Sequence, residues 1–364
     1  MYKDNVTTDP RGKGYAGADV CVKCHKNIID HYAQTSHFHA SSGAFPELKK
    51  LVNGSNAVVR FGDRKMMQVH EKDGSIYQSY FVDNKEVQSE KIDIVFGGGV
   101  KARTFGYWKD GQVFQLPLTY LTSKGIWTNS PGFPIDHAYF TRPVTGKCFE
   151  CHTSYISRFE EQSGALRLTE KFRPNTVLYG IDCERCHGPA AAHVDFHQKH
   201  PEARQAGFLT AVRSLTRQQQ LDLCATCHSG DAVTFRSVFN FKPGDAISAY
   251  YMYYPGGSAD VHGMQVQLLK QSKCFTQSQL TCITCHHSHN NKADAADRFI
   301  ATCMSCHQQS KHSLQMNSEH KNCMSCHMPL QPSRSLDFNN SKKANSIAYE
   351  LHTHRIAIYD SIKN

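Results

Sequence analysis

The sequence predicts a mainly α fold with large irregular content, into which a small antiparallel β-sheet is inserted. Three observations predict it. One pentapeptide, Cys-x-x-Cys-His, recurs without a regular period. Its copies are unevenly spread, with one near the start, none in residues 26–147 and six between residues 148 and 327. The stretch between carries runs of β-branched and aromatic residues punctuated by turn dipeptides, whereas the motif-rich part reads as short helices and loops.

The motif occurs seven times. Its cysteines are Cys21 and Cys24, Cys148 and Cys151, Cys183 and Cys186, Cys224 and Cys227, Cys282 and Cys285, Cys303 and Cys306, and Cys323 and Cys326. The histidines that close the copies are His25, His152, His187, His228, His286, His307 and His327. This spacing is the covalent attachment site of c-type haem: two thiols add to the two vinyl groups of one porphyrin, and the histidine falls beneath the iron as proximal ligand. A single copy could be chance or half of a zinc site. Seven copies, which use 14 of 15 cysteines, are neither. The cofactor expected is therefore haem c, seven per chain and covalently attached, and the fold expected is a multihaem cytochrome c fold organised around a chain of seven haems.

Composition agrees with a porphyrin interior. Hydrophobic residues are 40 % of the chain and mean hydropathy is −0.51, a thin supply for an aliphatic core. Stacked macrocycles bury much apolar area per unit mass, so the haems are expected to be the core, and the chain is not expected to fold without them. The formal charge of +9 invites a nucleic-acid reading, which haem removes. Each haem with ionised propionates contributes about −1 when ferric and −2 when ferrous, which takes the holoprotein to roughly +2 oxidised and −5 reduced. No nucleic-acid partner is expected. Haem is joined to this motif outside the cytoplasm, so the chain is read as exported, periplasmic or extracellular. The start, Met1-Tyr-Lys-Asp-Asn, has no apolar signal region, and the numbering is taken to be that of a mature or trimmed protein. No transmembrane segment is expected.

Residues 1–45 read as an N-terminal haem segment. Residues 46–135 read as a haem-free antiparallel insertion of about five strands, over 57–61, 65–70, 75–82, 102–108 and 112–116, with turns at Gly62-Asp63, Asp73-Gly74, Asp83-Asn84 and Asp110-Gly111. Residues 136–364 read as a six-haem, mostly helical core with a C-terminal wrap. Within it, 216–226 and 292–302 are expected helices leading into motifs, 235–254 an aromatic loop, and 331–343 a polar surface segment before 347–358.

Of 22 histidines, seven are proximal. The two axial nitrogens lie on opposite faces of a porphyrin, about 4 Å apart for Fe–N bonds near 2 Å. A residue three to six positions after a proximal histidine cannot pass round the macrocycle edge, so His193 and His289 must serve haems other than their neighbours. The distal ligands expected from sequence context are His37, His137, His193, His262, His289, His320 and His354. His39, His197, His200, His312 and His352 are substitutes, and His31, His70 and His287 read as surface residues.

Several of these contexts together resemble a known group. They are Cys183-Glu-Arg-Cys-His-Gly-Pro-Ala-Ala-Ala-His-Val, Leu223-Cys-Ala-Thr-Cys-His-Ser-Gly, Val261-His-Gly-Met-Gln, Leu280-Thr-Cys-Ile-Thr-Cys-His-His-Ser-His, Asn322-Cys-Met-Ser-Cys-His-Met-Pro and Thr353-His-Arg-Ile. The chain resembles the exported multihaem cytochromes c of the superfamily of hydroxylamine oxidoreductase, octahaem tetrathionate reductase and the tetrahaem cytochrome of ammonia oxidisers. The resemblance implies parallel-stacked and perpendicular haem pairs, mostly bis-histidine, in a largely helical envelope. Ammonia-forming nitrite reductases usually carry a Cys-x-x-Cys-Lys site, whereas every motif here ends in histidine.

Two functions compete. In the first the chain carries electrons along closely spaced haems to or from redox partner proteins or quinol-linked donors, with self-association into an oligomer or an extracellular filament as a variant of that reading. Enough histidines exist to saturate every iron, which favours this one. In the second, one open haem acts on a small nitrogen or sulfur compound such as nitrite, hydroxylamine, sulfite or tetrathionate, assisted by basic and hydrogen-bonding groups such as Lys101, Arg103, Tyr107, Tyr139 and Arg142. No catalytic residue is assigned. Cys274 is the odd thiol, read as a small buried residue, with a soft ligand or reactive group beside a substrate-binding haem, or an intermolecular disulfide, as the alternatives.

Overall fold

The computed structural model describes residues 9–52, 57–162, 164–230, 232–253, 258–290, 295–307, 322–339 and 346–359. The chain divides into two compact units, Met1–Leu209 with Asp337–Ile347, and Thr210–Leu336 with Ala348–Asn364.

In the first unit, helix α1 (Ala18–Tyr32) is followed by the short strand β1 (Ser41–Gly43). A four-stranded antiparallel meander comes next: β2 (Val58–Phe61), β3 (Lys65–Lys72), β4 (Ser75–Val82) and β5 (Lys85–Lys91). Its turns are specified by residue type. Asp73 and Gly74 have φ of 49° and 76°, and Asp83 and Asn84 have φ of 50° and 62°. Two left-handed residues in succession make the tight turn whose twist matches that of the flanking strands, and Asp, Asn and Gly adopt that conformation at least cost.

Strands β6 (Ile94–Phe96), β7 (Ala102–Lys109), β8 (Gln112–Gln115), β9 (Leu118–Leu121), β10 (Ile126–Asn129) and β11 (Arg142–Val144) join β1 in a seven-stranded sheet. Its main path runs β1-β6-β7-β8-β11, with β9 on β7 and β10 on β9. The core beneath these sheets is made of side chains alone: Leu48, Val59, Met67, Ile76, Phe105, Leu116, Leu118 and Trp127 are all buried. Gln78 is fully buried with them, and its amide donates to the Leu118 carbonyl (2.9 Å) while accepting from the Leu118 N–H (2.8 Å). Gln78→Leu leaves both backbone groups without a partner, and is expected to lower stability by about 1–3 kcal/mol. Urea unfolding followed by far-UV circular dichroism checks this through the midpoint.

The first unit continues with α2 (Gly146–His152), β12 (Thr153–Tyr155), the hairpin β13 (Arg158–Gln162) and β14 (Leu168–Phe172), β15 (Leu178–Tyr179), α3 (Cys183–His187) and α4 (Ala191–Lys199). The second unit opens on α5 (Arg217–His228), which begins where expected, because Thr216 and Gln219 form a reciprocal capping box. The strand pair β16 (Ala232–Thr234) and β17 (Tyr251–Tyr253) encloses an aromatic segment that folds as short 3₁₀ turns, over a core including Leu223, Val238, Phe241, Tyr250 and Val266. Helices α6 (Gln265–Lys270), α7 (Lys273–Thr276), α8 (Cys282–Cys285), α9 (Ala295–Met304) and α10 (Cys323–His327) follow, then the strands β18 (Leu330–Asn339) and β19 (Ser346–His352).

The mainly α expectation is overturned. Helix and strand each account for 30 % of the described residues, and the described strands form six sheets rather than one small insertion. A motif needs only a single helical turn to present its two thiols, so seven motifs add little helix. Strands also occur where the sequence reads as polar loop, as in β5, β13 and the run 331–339 of the supposed surface segment. The five expected strand runs are present as β2, β3, β4, β7 and β8. The helix expected over 292–302 begins at Ala295 among the described residues, and 292–294 lie outside them. The expectation of a purely porphyrin interior also fails for the first unit, whose sheets enclose a core of their own. Among the described residues, no helix is long and apolar enough to cross a membrane.

Candidate haem-binding sites

Each motif sits on one helical turn or at the end of a helix, which puts cysteines three apart on one face and the histidine directly after them. The first lies within α1, where His25 leaves helical geometry (φ −110°, ψ 34°). The second is on α2, the third on α3 and the seventh on α10, while the fourth closes α5. The fifth follows α8 into His286, and the sixth runs from the end of α9 into Cys306 and His307. The face around the first motif is apolar and open, with Val22 40 % and Ile28 44 % exposed. Paired thiols on such a face fit a large apolar ring that would cover them.

The motifs also meet in pairs. The thiols of Cys21 and Cys183 lie near enough to perturb each other, as do those of Cys224 and Cys282, and those of Cys303 and Cys323. Each pair joins the first cysteines of two different motifs.

The imidazoles are held in the tautomer that metal binding needs. His152 Nδ1 donates to the Ala40 carbonyl (3.1 Å), His228 Nδ1 to Gln265 Oε1 (3.2 Å) and His327 Nδ1 to the Ala357 carbonyl (2.9 Å). His193 Nδ1 donates to the Gly207 carbonyl (2.8 Å). In each ring the oxygen acceptor places the proton on Nδ1, which makes Nε2 the nitrogen that would ligate.

Two expected distal histidines face motif histidines. The His25 and His193 rings lie 6.3 Å apart between centroids with planes 18° from parallel. The His286 and His354 rings lie 6.0 Å apart at 24°. Two imidazoles on opposite sides of one iron require about 2 Å per Fe–N bond plus the reach from nitrogen to ring centre, roughly 6 Å in all. His354 Nδ1 is buried without a hydrogen-bond partner. Burial, followed by the neighbouring His286 and His228, pushes the His354 pKa down to about 4, which keeps the ring neutral as a ligand must be. The residues present fit bis-histidine haem.

Four of the other expected ligands, His37, His137, His262 and His289, lie in irregular segments. His37 is in the turn after α1, and His289 is exposed beyond the fifth motif. His137 is exposed with Nδ1 2.7 Å from Asp136. The His262 ring meets Tyr349 edge-on at 5.9 Å. His320 and the substitute His312 lie outside the described residues. His352, only a substitute in the sequence reading, has Nδ1 fixed by the Met328 carbonyl (2.6 Å), in the same manner as the ligands above. Sequence reasoning missed the carbonyl partners entirely, because a backbone acceptor leaves no mark on residue identity.

The groups considered for anion binding have structural contacts. Tyr107 is buried and donates to the Phe140 carbonyl (3.0 Å), and burial followed by Glu90 pushes its pKa up to about 12. Arg103 lies over the Phe45 ring, and Arg142 lies over Phe133 while donating to the Pro131 carbonyl. Cys274 is half-buried, and burial pushes its thiol up.

Residues 138–188, which hold the second and third motifs, match the family model described as cytochrome c554 and c-prime. No curated relative matches the chain. Among solved structures the outer cell wall cytochrome OcwA is similar, at 16 % identity and a TM-score of 0.43 over 89 % of this chain and 65 % of that one. This chain therefore spans just under two thirds of its length. Together with the seven attachment motifs, the family match supports a multihaem c-type cytochrome with covalently bound haem c.

Proposed function

We propose that the chain is an exported heptahaem cytochrome of the superfamily that includes hydroxylamine oxidoreductase, and that it passes electrons among closely spaced, mostly bis-histidine haems. The observation that carries this is the pair of facing imidazoles, His25 with His193 and His286 with His354, each joining a motif to a residue far along the chain. Bound haem c supplies one-electron redox chemistry. The fourteen motif cysteines would anchor it, and each motif histidine would ligate an iron. His193 and His354 would be the second ligands at the first and fifth motifs. His37, His137, His262, His289 and His320 are assigned to the others. Nδ1–carbonyl hydrogen bonds orient the rings and raise their basicity. Two imidazoles per iron keep potentials low and leave no open position for a substrate. The thiol contacts between motifs bring neighbouring attachment sites together, which short electron steps require. Redox proteins or quinol-linked donors are the expected partners, in the periplasm or outside the cell, with self-association as one route to longer conduction.

Pyridine haemochrome analysis of the purified holoprotein is expected to give seven haems per chain, with only low-spin ferric signals by electron paramagnetic resonance. A high-spin signal that moves when nitrite, sulfite or hydroxylamine is added would overturn the carrier reading.

A further inference from the structure

Glu184, the second residue of the third motif, has a side chain only 1 % exposed. Its carboxylate accepts from the backbone N–H groups of Ala16 (2.9 Å), Gly17 (2.9 Å) and Ala190 (2.8 Å), and from Arg11 Nη2 (3.0 Å). The Arg11 guanidinium, 4 % exposed, also contacts Asp9 at 2.9 Å and Asp182 at 2.7 Å. Three carboxylates thus share one guanidinium. Arg185, in the same motif, donates to the Glu150 carbonyl (3.0 Å). Burial opposes the charge on Arg11, but the Asp9 hydrogen bond and then Asp182 outweigh it and push its pKa up.

The position of this cluster matters more than its pairing. Asp182 caps α3 by accepting from the Arg185 N–H (3.0 Å), immediately before Cys183. Ala16 and Gly17 immediately precede α1, which carries Cys21. The Cys21 and Cys183 thiols lie near enough to perturb each other. The cluster therefore sits at the root of two attachment sites, where water is excluded and charge is poorly screened.

We propose that the buried, net-negative Arg11–Asp9–Asp182–Glu184 cluster lowers the reduction potential of haem at the first and third motifs, making these the most reducing positions of the first unit. A fixed negative charge stabilises the ferric state over the ferrous one, which carries one positive charge less. The inference rests on haem occupying both motifs, as the proposed function requires.

The test is a spectroscopic redox titration of holoprotein carrying Glu184→Gln. Removing one charge is expected to shift the reduction equilibrium of those haems roughly tenfold, about 59 mV upward for a one-electron couple, with the rest of the curve unchanged. Glu184→Asp keeps the charge and is expected to titrate with wild type. An unchanged curve for Glu184→Gln at an unchanged haem count overturns the inference. If that variant does not mature, Asp9→Asn removes a charge outside the motif, and an upward shift or an unchanged curve decides in the same way. A wild-type haem count that omits the first or third motif sinks the underlying reading instead, so the two failures are separable.

Discussion

Replacing His354 by alanine is expected to leave the haem at the fifth motif five-coordinate, adding a high-spin ferric signal equivalent to one haem of seven while the others stay low-spin. The physical basis is the 6.0 Å separation of the His286 and His354 rings and the buried, unpartnered His354 Nδ1. Loss of one imidazole donor also raises the potential of that haem. His193→Ala is expected to do the same at the first motif, where the ring separation is 6.3 Å. Because His193 and His354 belong to different units, the double variant should show the sum of the two signals. Spin quantification by electron paramagnetic resonance reads all three, and added imidazole should restore the low-spin state. A His354→Ala protein that stays wholly low-spin would show that another side chain holds that position.

Chain produced in a strain unable to attach haem is expected to retain a folded β body while the motif helices are digested. Limited proteolysis with mass spectrometry should recover a resistant fragment within residues 41–144. The reason is the composition of the two parts. The sheets enclose Leu48, Met67, Phe105, Leu116 and Trp127, and no cofactor is needed to bury them. The helices that carry the motifs run from the 4 residues of α8 to the 15 of α1. Isolated helices below about 12–15 residues are marginal in water. Complete digestion at the same rate throughout would mean that the sheets also depend on haem.

The two parts were also unequally legible in the sequence. Asp73-Gly74 and Asp110-Gly111 mark hairpins because left-handed backbone is costly for most residues, so those turns predict β3, β4, β7 and β8 directly. Strand β5, Lys85–Lys91, was not legible, since its side chains are polar and it is held by the ladder to β4. The excess of strand over the mainly α expectation has this origin, because ladder hydrogen bonds are blind to side-chain type. The Asp9–Arg11–Asp182–Glu184 cluster was equally hidden, because its members are ordinary charged residues until the fold buries them together.

The sequence by itself determined the covalent chemistry: seven Cys-x-x-Cys-His turns, each with its own proximal histidine, because attachment geometry is local to five residues. Only the tertiary structure decided which distant histidine faces which motif. An axial ligand must approach from the opposite face of the porphyrin, which the adjoining chain cannot reach, so His193 and His354 find His25 and His286 through folding and not through spacing.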